Sequence, residues 1–158
     1  MQHNASDKQA KTGGRMYSKP IAQYSSAEIG CEGENIARQY LAKRGYAIRA
    51  TNFKIAGVEI DIIADSNQND TCNTNNLNEI VLIEVKTRVC LHKEDADNYP
   101  EHAVDERKQR RYAKAAKAFE ACFDCAGPIR FDVISIQIMS EDLARIHHMI
   151  GAFEADEQ

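Results

Sequence analysis

The sequence predicts an α/β fold, with a central mixed sheet of four to five strands flanked by helices. Three observations carry this. Residues 58–65 (VEIDIIAD) and 79–88 (EIVLIEVKTR) are apolar, rich in β-branched side chains and of strand length. Residues 25–45 and 103–122 repeat their apolar residues at helical spacing. The order is helix, three strands, helix, then one or two strands, which suits one mixed sheet covered by helices.

Each element has its own signals. Residues 1–20 have little apolar content and two adjacent glycines, so 1–24 is expected to be a disordered tail and 25–154 a single domain. In the first helix Ser25 or Ser26 is the N-cap, and Glu28 suits the first turn. Ile29, Gly33, Ile36, Ala37, Tyr40 and Leu41 make one face, and Gly45 ends the helix. Residues 46–53 form a first strand, and Ala56-Gly57 turns the chain into 58–65. Residues 66–78 hold six asparagines and are read as a flexible insertion between two paired strands. After the strand at 79–88, residues 89–102 are irregular and contain Pro100. Gly127-Pro128 closes the second helix. Residues 129–139 are a further strand, and 144–153 add a short edge strand.

The 158 residues suit one domain with a sizeable core. Hydrophobic residues make up 43% and charged residues 28%, an ordinary globular balance. The net charge of −4 argues against a protein held on nucleic acid by bulk charge alone, though not against a local basic surface. No apolar run reaches membrane-spanning length and no signal sequence is visible, so no membrane partner is expected and the location is read as cytoplasmic. Five cysteines without a secretory signal point to reduced thiols.

The chemistry concentrates in four charges inside the two most apolar strands. Alternation puts Glu59 and Asp61 on one face, with Val58, Ile60 and Ile62 on the other. In the later strand Ile80, Leu82, Glu84 and Lys86 share a face. Paired as a hairpin, these strands bring three carboxylates and one ammonium together. Such a group is costly, because like charges repel and each ion loses its water. A hard divalent cation, Mg²⁺ or Mn²⁺, would offset the cost and suits oxygen ligands. The alternative is a set of edge-strand charges in ordinary salt bridges, and a bare E-x-K tripeptide alone does not exclude it.

Taken in order, "GENIARQYLAKRGYAI", "GVEIDIIA", "IEVKTR", "RFDVISI" and "IHHMIGAF" resemble the YraN-like family of uncharacterised bacterial proteins, over residues 33–153. That family looks like a branch of the PD-(D/E)xK nuclease superfamily, beside restriction endonucleases and archaeal Holliday-junction resolvases. The resemblance implies a restriction endonuclease-like core and Mg²⁺-dependent hydrolysis of DNA phosphodiester bonds, with branched or junction DNA among the candidate substrates. It implies Asp61 as the central metal-binding aspartate, Glu84 and Lys86 as the acid and lysine of the second half-motif, and Glu34 as the helical glutamate. Glu59 is a supporting metal ligand. Two departures stand out: Val58 replaces the second of two glycines, and Ile60 stands where the superfamily has proline.

Other candidates keep two readings each. Glu34 either faces the sheet or pairs with Arg38 at i+4. Lys108, Arg111 and Lys114 on the second helix, with Arg88, contact phosphates or are simply solvated, and Tyr112 stacks on a base in the first reading. Asp132 is expected to anchor a basic residue of the second helix, and His147 and His148 to pack. Cys122 and Cys125 form a C-x-x-C that would need two more ligands to hold zinc. The functional alternatives are a metal-dependent endonuclease acting on DNA, a non-catalytic nucleic-acid- or protein-binding module on the same fold, and a thiol or zinc protein. Symmetric cutting of a junction would require a homodimer.

Overall fold

The computed structural model describes residues 19–66, 79–91, 106–123 and 127–153, and the backbone of 5–11. It contains strands β1 (Ala5–Lys11), β2 (Ala47–Ile55), β3 (Val58–Asp65), β4 (Ile80–Val89), β5 (Ile129–Ser140) and β6 (Leu143–Phe153), and helices α1 (Ser26–Lys43) and α2 (Glu106–Cys122). They form one sheet in the order β1-β6-β5-β4-β3-β2. The β4–β5 pair is parallel and every other pair antiparallel. The expected mixed α/β architecture is present. Residues 67–78 of the asparagine-rich insertion, the segment at 92–105, Cys125 and the C-terminal acidic residues lie outside the described residues.

Two features differ from the sequence reading. Ala5–Lys11, placed in a disordered tail, pairs along β6, and Ile21 is buried. Pairing at a sheet edge uses backbone groups, so it needs no apolar pattern in the added strand. The last strand is consequently eleven residues long and internal.

Helix α1 begins with a capping box: the Glu28 N–H donates to Ser25 Oγ at 3.3 Å, and the Ser25 N–H donates to Glu28 Oε2 at 2.8 Å. Bonds from Lys19 and Ser25 hold the Glu28 carboxyl down at about 2. The helix buries Ile36, Ala37, Tyr40 and Leu41 against Val81, Ile83, Ile134 and Ile136. Gly33 is its point of closest approach, since a Cβ there would overlap the Thr87 side chain. Helix α2 buries Tyr112, Ala115, Ala116 and Phe119 on the other face, against Ile60, Ile63, Leu82 and Phe131. The alternation of β4 between these two cores is the one the sequence predicts.

A buried polar network holds one end of the sheet on the α1 side. Arg130 donates to both Asp132 oxygens (2.8 and 2.9 Å), to Tyr46 Oη at 3.1 Å and to Glu79. His148 Nε2 lies 2.9 Å from Asp132 Oδ2, and the Gly151 N–H donates to Oδ1. Burial opposes the Asp132 charge, but the bonds from His148 and Arg130 keep its carboxyl below the usual range. Asp132 thus anchors an arginine of its own strand and not one on α2, because residues 130 and 132 both face α1.

Candidate active site

The site forms where the β2–β3 hairpin loses its regular alternation. In β3, Val58, Ile60 and Ile63 face α2, whereas Ile62 and Ala64 face α1. The expected common face for Val58, Ile60 and Ile62 therefore fails at Asp61. In β2, Ala50 faces α2, and so do Phe53 and Ile55. Both strands switch at Asn52 and Asp61, the positions missing from an otherwise constant register between Thr51↔Ile62 and Phe53↔Ile60. Asn52 has φ 51°, a left-handed conformation that asparagine tolerates better than most side chains.

The same break ends the β3–β4 ladder at Ile62↔Ile83, while β4 stays paired with β5 through Val89. The Asp61 carboxylate enters the opening, and its Oδ2 accepts the Val85 N–H at 2.7 Å. A side chain thereby replaces a backbone acceptor lost where the strands part.

Glu84 is 6% exposed and faces α2. Tyr112 Oη donates to its Oε2 at 2.6 Å, and Lys108 Nζ pairs with its Oε1. Lys108 and Tyr112 are four residues apart, so both reach one point from a single helix face. Burial, the Glu84 charge and the bond to Glu84 push the Tyr112 phenol far above its ordinary range, so it remains a donor. Burial, then the charges of Glu84 and Glu34, push the Asp61 carboxyl up to about 7, against the pull of the Val85 N–H and Lys108. Glu34 Oε2 accepts from Asn52 Nδ2 at 3.1 Å, while Arg38 donates to Asn35. Of the two readings of Glu34, the one facing the sheet holds.

The structure therefore brings the charges of Glu84 and Glu34 to bear on Asp61. Lys86 follows two residues after Glu84 on the same side of β4. Glu59 is elsewhere: its side chain is 48% exposed and pairs with Lys54 at 3.3 Å, directly across the hairpin. The alternation break separates it from Asp61. Arg111 and Lys114 are exposed on α2, Arg88 is partly exposed on β4, and Lys108 is drawn to Glu84. Tyr112 is buried, which corrects its assignment to base stacking. Cys31, Cys90 and Cys122 are free thiols. Asn52 and the Tyr112–Glu84 bond were not expected; the only signal was an asparagine inside a strand-like run and a tyrosine one turn beyond Lys108.

The donor set is oxygen only, which suits a hard cation. Among the described residues, no three Asp, Glu, His or Cys side chains lie close enough to cage a metal ion. Two carboxylates are nevertheless the usual protein share of a Mg²⁺ site, where water completes the shell. A bound cation would favour the charged form of Asp61, whose proton affinity is raised first by burial and then by the charges of Glu84 and Glu34.

Fold and site together define an α/β protein with a mixed sheet and, at a strand divergence, a buried Glu84 beside a partly buried Asp61. Residues 33–136 match the model of the uncharacterised protein family UPF0102, and the chain belongs to that family. It is 38% identical over 128 residues to a UPF0102 protein of Parabacteroides distasonis, covering 81% of this chain and 93% of that relative. Similar relatives occur in Bacteroides thetaiotaomicron (37% over 126 residues, covering 80% and 92%) and Caldanaerobacter subterraneus (37% over 129 residues, covering 79% and 93%). No described helix is long and apolar enough to cross a membrane.

Proposed function

We propose that the chain is a Mg²⁺-dependent endonuclease that hydrolyses DNA phosphodiester bonds, on a core of the restriction endonuclease type. The observation that supports this most is the meeting of Asp61 and Glu84 at the point where β3 leaves β4, where burial and then the Glu84 and Glu34 charges push the Asp61 carboxyl up to about 7. Asp61 and Glu84 would hold the ion, and Glu34, steadied by Asn52, would act from the outer shell through water. When bound, Mg²⁺ makes a coordinated water more acidic and stabilises charge on a phosphoryl oxygen. Val85 fixes the angle of Asp61, and Tyr112 fixes that of Glu84. Lys86 orients the attacking water and takes part in removing its proton. Lys108 supplies positive charge beside Glu84 and exchanges that contact for a phosphate oxygen when substrate enters.

One observation favours a second reading, a non-catalytic nucleic-acid- or protein-binding module on the same fold. Both Glu84 oxygens already have protein partners in Lys108 and Tyr112. The two readings separate in a cleavage assay on branched, single-stranded and duplex DNA with Mg²⁺ or Mn²⁺. The nuclease reading expects metal-dependent products from the wild type, no products from Asp61→Ala, and a loss of at least tenfold for Lys86→Ala. Cutting that survives Asp61→Ala would refute the assignment of the centre. Binding of branched DNA with no cutting under any metal would favour the second reading. Paired nicks on opposite arms of a junction would also call for a homodimer, which sedimentation of the DNA complex would reveal.

A further inference from the structure

The two helices carry very different charge. Helix α1 holds two cations and three acids, whereas α2 holds six cations and two acids, in a chain whose net charge is −4. Lys108 is turned inward to Glu84. The other five cations of α2, Arg107, Arg110, Arg111, Lys114 and Lys117, are exposed. Arg107, Arg111 and Lys114 follow one another at i, i+4 and i+7, so they form one line along the helix. Arg110 and Lys117 stand beside that line. The sheet side of the helix is separate, because Tyr112, Ala115, Ala116 and Phe119 fill it.

This arrangement works against the helix itself. Arg107 meets Arg110 and Arg111, and Lys114 meets Arg110, Arg111 and Lys117, each at an i+3 or i+4 spacing where like charges repel. Arg107, Arg110 and Arg111 lie in the first two turns, where the helix dipole disfavours cations. The last turn, where the dipole favours them, holds none. Glu106 offsets Arg110, at 3.1 Å. Arg107, Arg111, Lys114 and Lys117 have no ion-pair partner among the described residues. A surface of one sign, built at the expense of its own helix, is suited to a polyanion.

We propose that the exposed stripe of α2 is a docking surface for the backbone of duplex DNA, holding the duplex that flanks the Asp61–Glu84 centre. The proposal rests on the nuclease reading for the identity of its ligand. Arg107 and Arg111 adjoin Lys108 on the helix, so the stripe begins beside the centre. From Arg107 to Lys117 it rises about 15 Å. Over that length one strand of a duplex presents about four phosphates, one for each of the four cations without a protein partner. Such contacts position a duplex without reading its sequence. An anionic lipid surface fits less well, because a helix lying on a membrane inserts its apolar face, and that of α2 is already packed on the sheet.

The test is binding of a fluorescein-labelled DNA duplex in EDTA, over a range of salt concentrations. Each lost phosphate contact lowers the slope of log affinity against log salt by about 0.9. Arg107→Gln/Arg111→Gln/Lys114→Gln should lower it by about three such steps. With fewer like-charge neighbours, that variant should also melt at or above the wild type. Arg107→Lys/Arg111→Lys should keep the wild-type slope, as should Arg38→Gln/Lys43→Gln on α1, across the sheet. Wild-type slope and affinity in the triple variant would overturn the docking surface, even if the protein cuts DNA. An equal loss of slope in the α1 variant would overturn it too, since any cation would then serve. Stripe-dependent binding without cleavage under Mg²⁺ or Mn²⁺ would leave the surface standing and remove the nuclease reading. A wild type that binds no duplex would overturn the proposal, and stripe-dependent binding to phosphatidylserine vesicles in its place would assign the surface to a membrane.

Discussion

At Asp61 a backbone donor favours the charged carboxyl, while burial beside Glu84 and Glu34 opposes it and wins. The group ionises near its ordinary 3.8 in the unfolded chain and at about 7 in the folded one. Folding therefore takes up a proton between these values. The cost of Asp61 to stability is absent below the window, grows through it and is fully present above pH 7. Asp61→Asn keeps an acceptor for the Val85 N–H and removes the charge. It should melt roughly 3–6 °C above the wild type at pH 8 and level with it at pH 4. Equal melting at both pH values would mean that the carboxyl is not perturbed. The residue types at this site were legible in the sequence, since charges inside apolar strands are a strong signal. The partners of Glu84 were not, because nothing in a helical repeat says which turn meets which strand. Glu59 shows the limit of alternation: one irregular residue moves its neighbours to the other face.

At the scale of elements, the approach of α1 to β4 carries Glu34 toward Asp61. Gly33 permits it, since the Thr87 side chain occupies the space a Cβ would need. Gly33→Ala should lose about 1–3 kcal/mol by overpacking, measured by urea denaturation. Adding Thr87→Ala should recover a large part of that loss, whereas simple additivity would show that the two positions are not in contact. The lengths of β3, β4 and β5 were readable to within a residue, because each is a dense apolar run between turn signals. The switch at Asn52 and Asp61 was hidden, because a left-handed asparagine leaves no mark on composition. Strand β1 was hidden for a related reason: an edge strand joins through its backbone.

For the molecule as a whole, Arg130 links the start of β5 to Tyr46 before β2, to Glu79 before β4 and, through Asp132, to His148 on β6. It is 6% exposed and balances two buried carboxylates. Burial opposes its charge, and the bonds and charges of Asp132, with Glu79, more than restore it. Arg130→Met would leave Glu79 and Asp132 uncompensated and should cost about 3–5 kcal/mol, enough to threaten a domain of this size. A loss below 1 kcal/mol in denaturant would show that the network does not hold the strands together. The "RFDVISI" and "IHHMIGAF" stretches contribute Arg130, Asp132 and His148 to this network, so these three residues serve the frame on which the site is built. The sequence reading took Asp132 and His148 as structural but assigned Asp132 the wrong partner, because the side of the sheet it faces depends on the whole topology.

The central claim is that Asp61 and Glu84 form one cation site, and a Mn²⁺ titration followed by electron paramagnetic resonance tests it most directly. The account predicts one Mn²⁺ per chain at pH 8, weaker binding at pH 5.5 as Asp61 takes its proton, and loss of the site in both Asp61→Asn and Glu84→Gln. Wild-type Mn²⁺ binding by either variant, or no Mn²⁺ bound at pH 8, would contradict it.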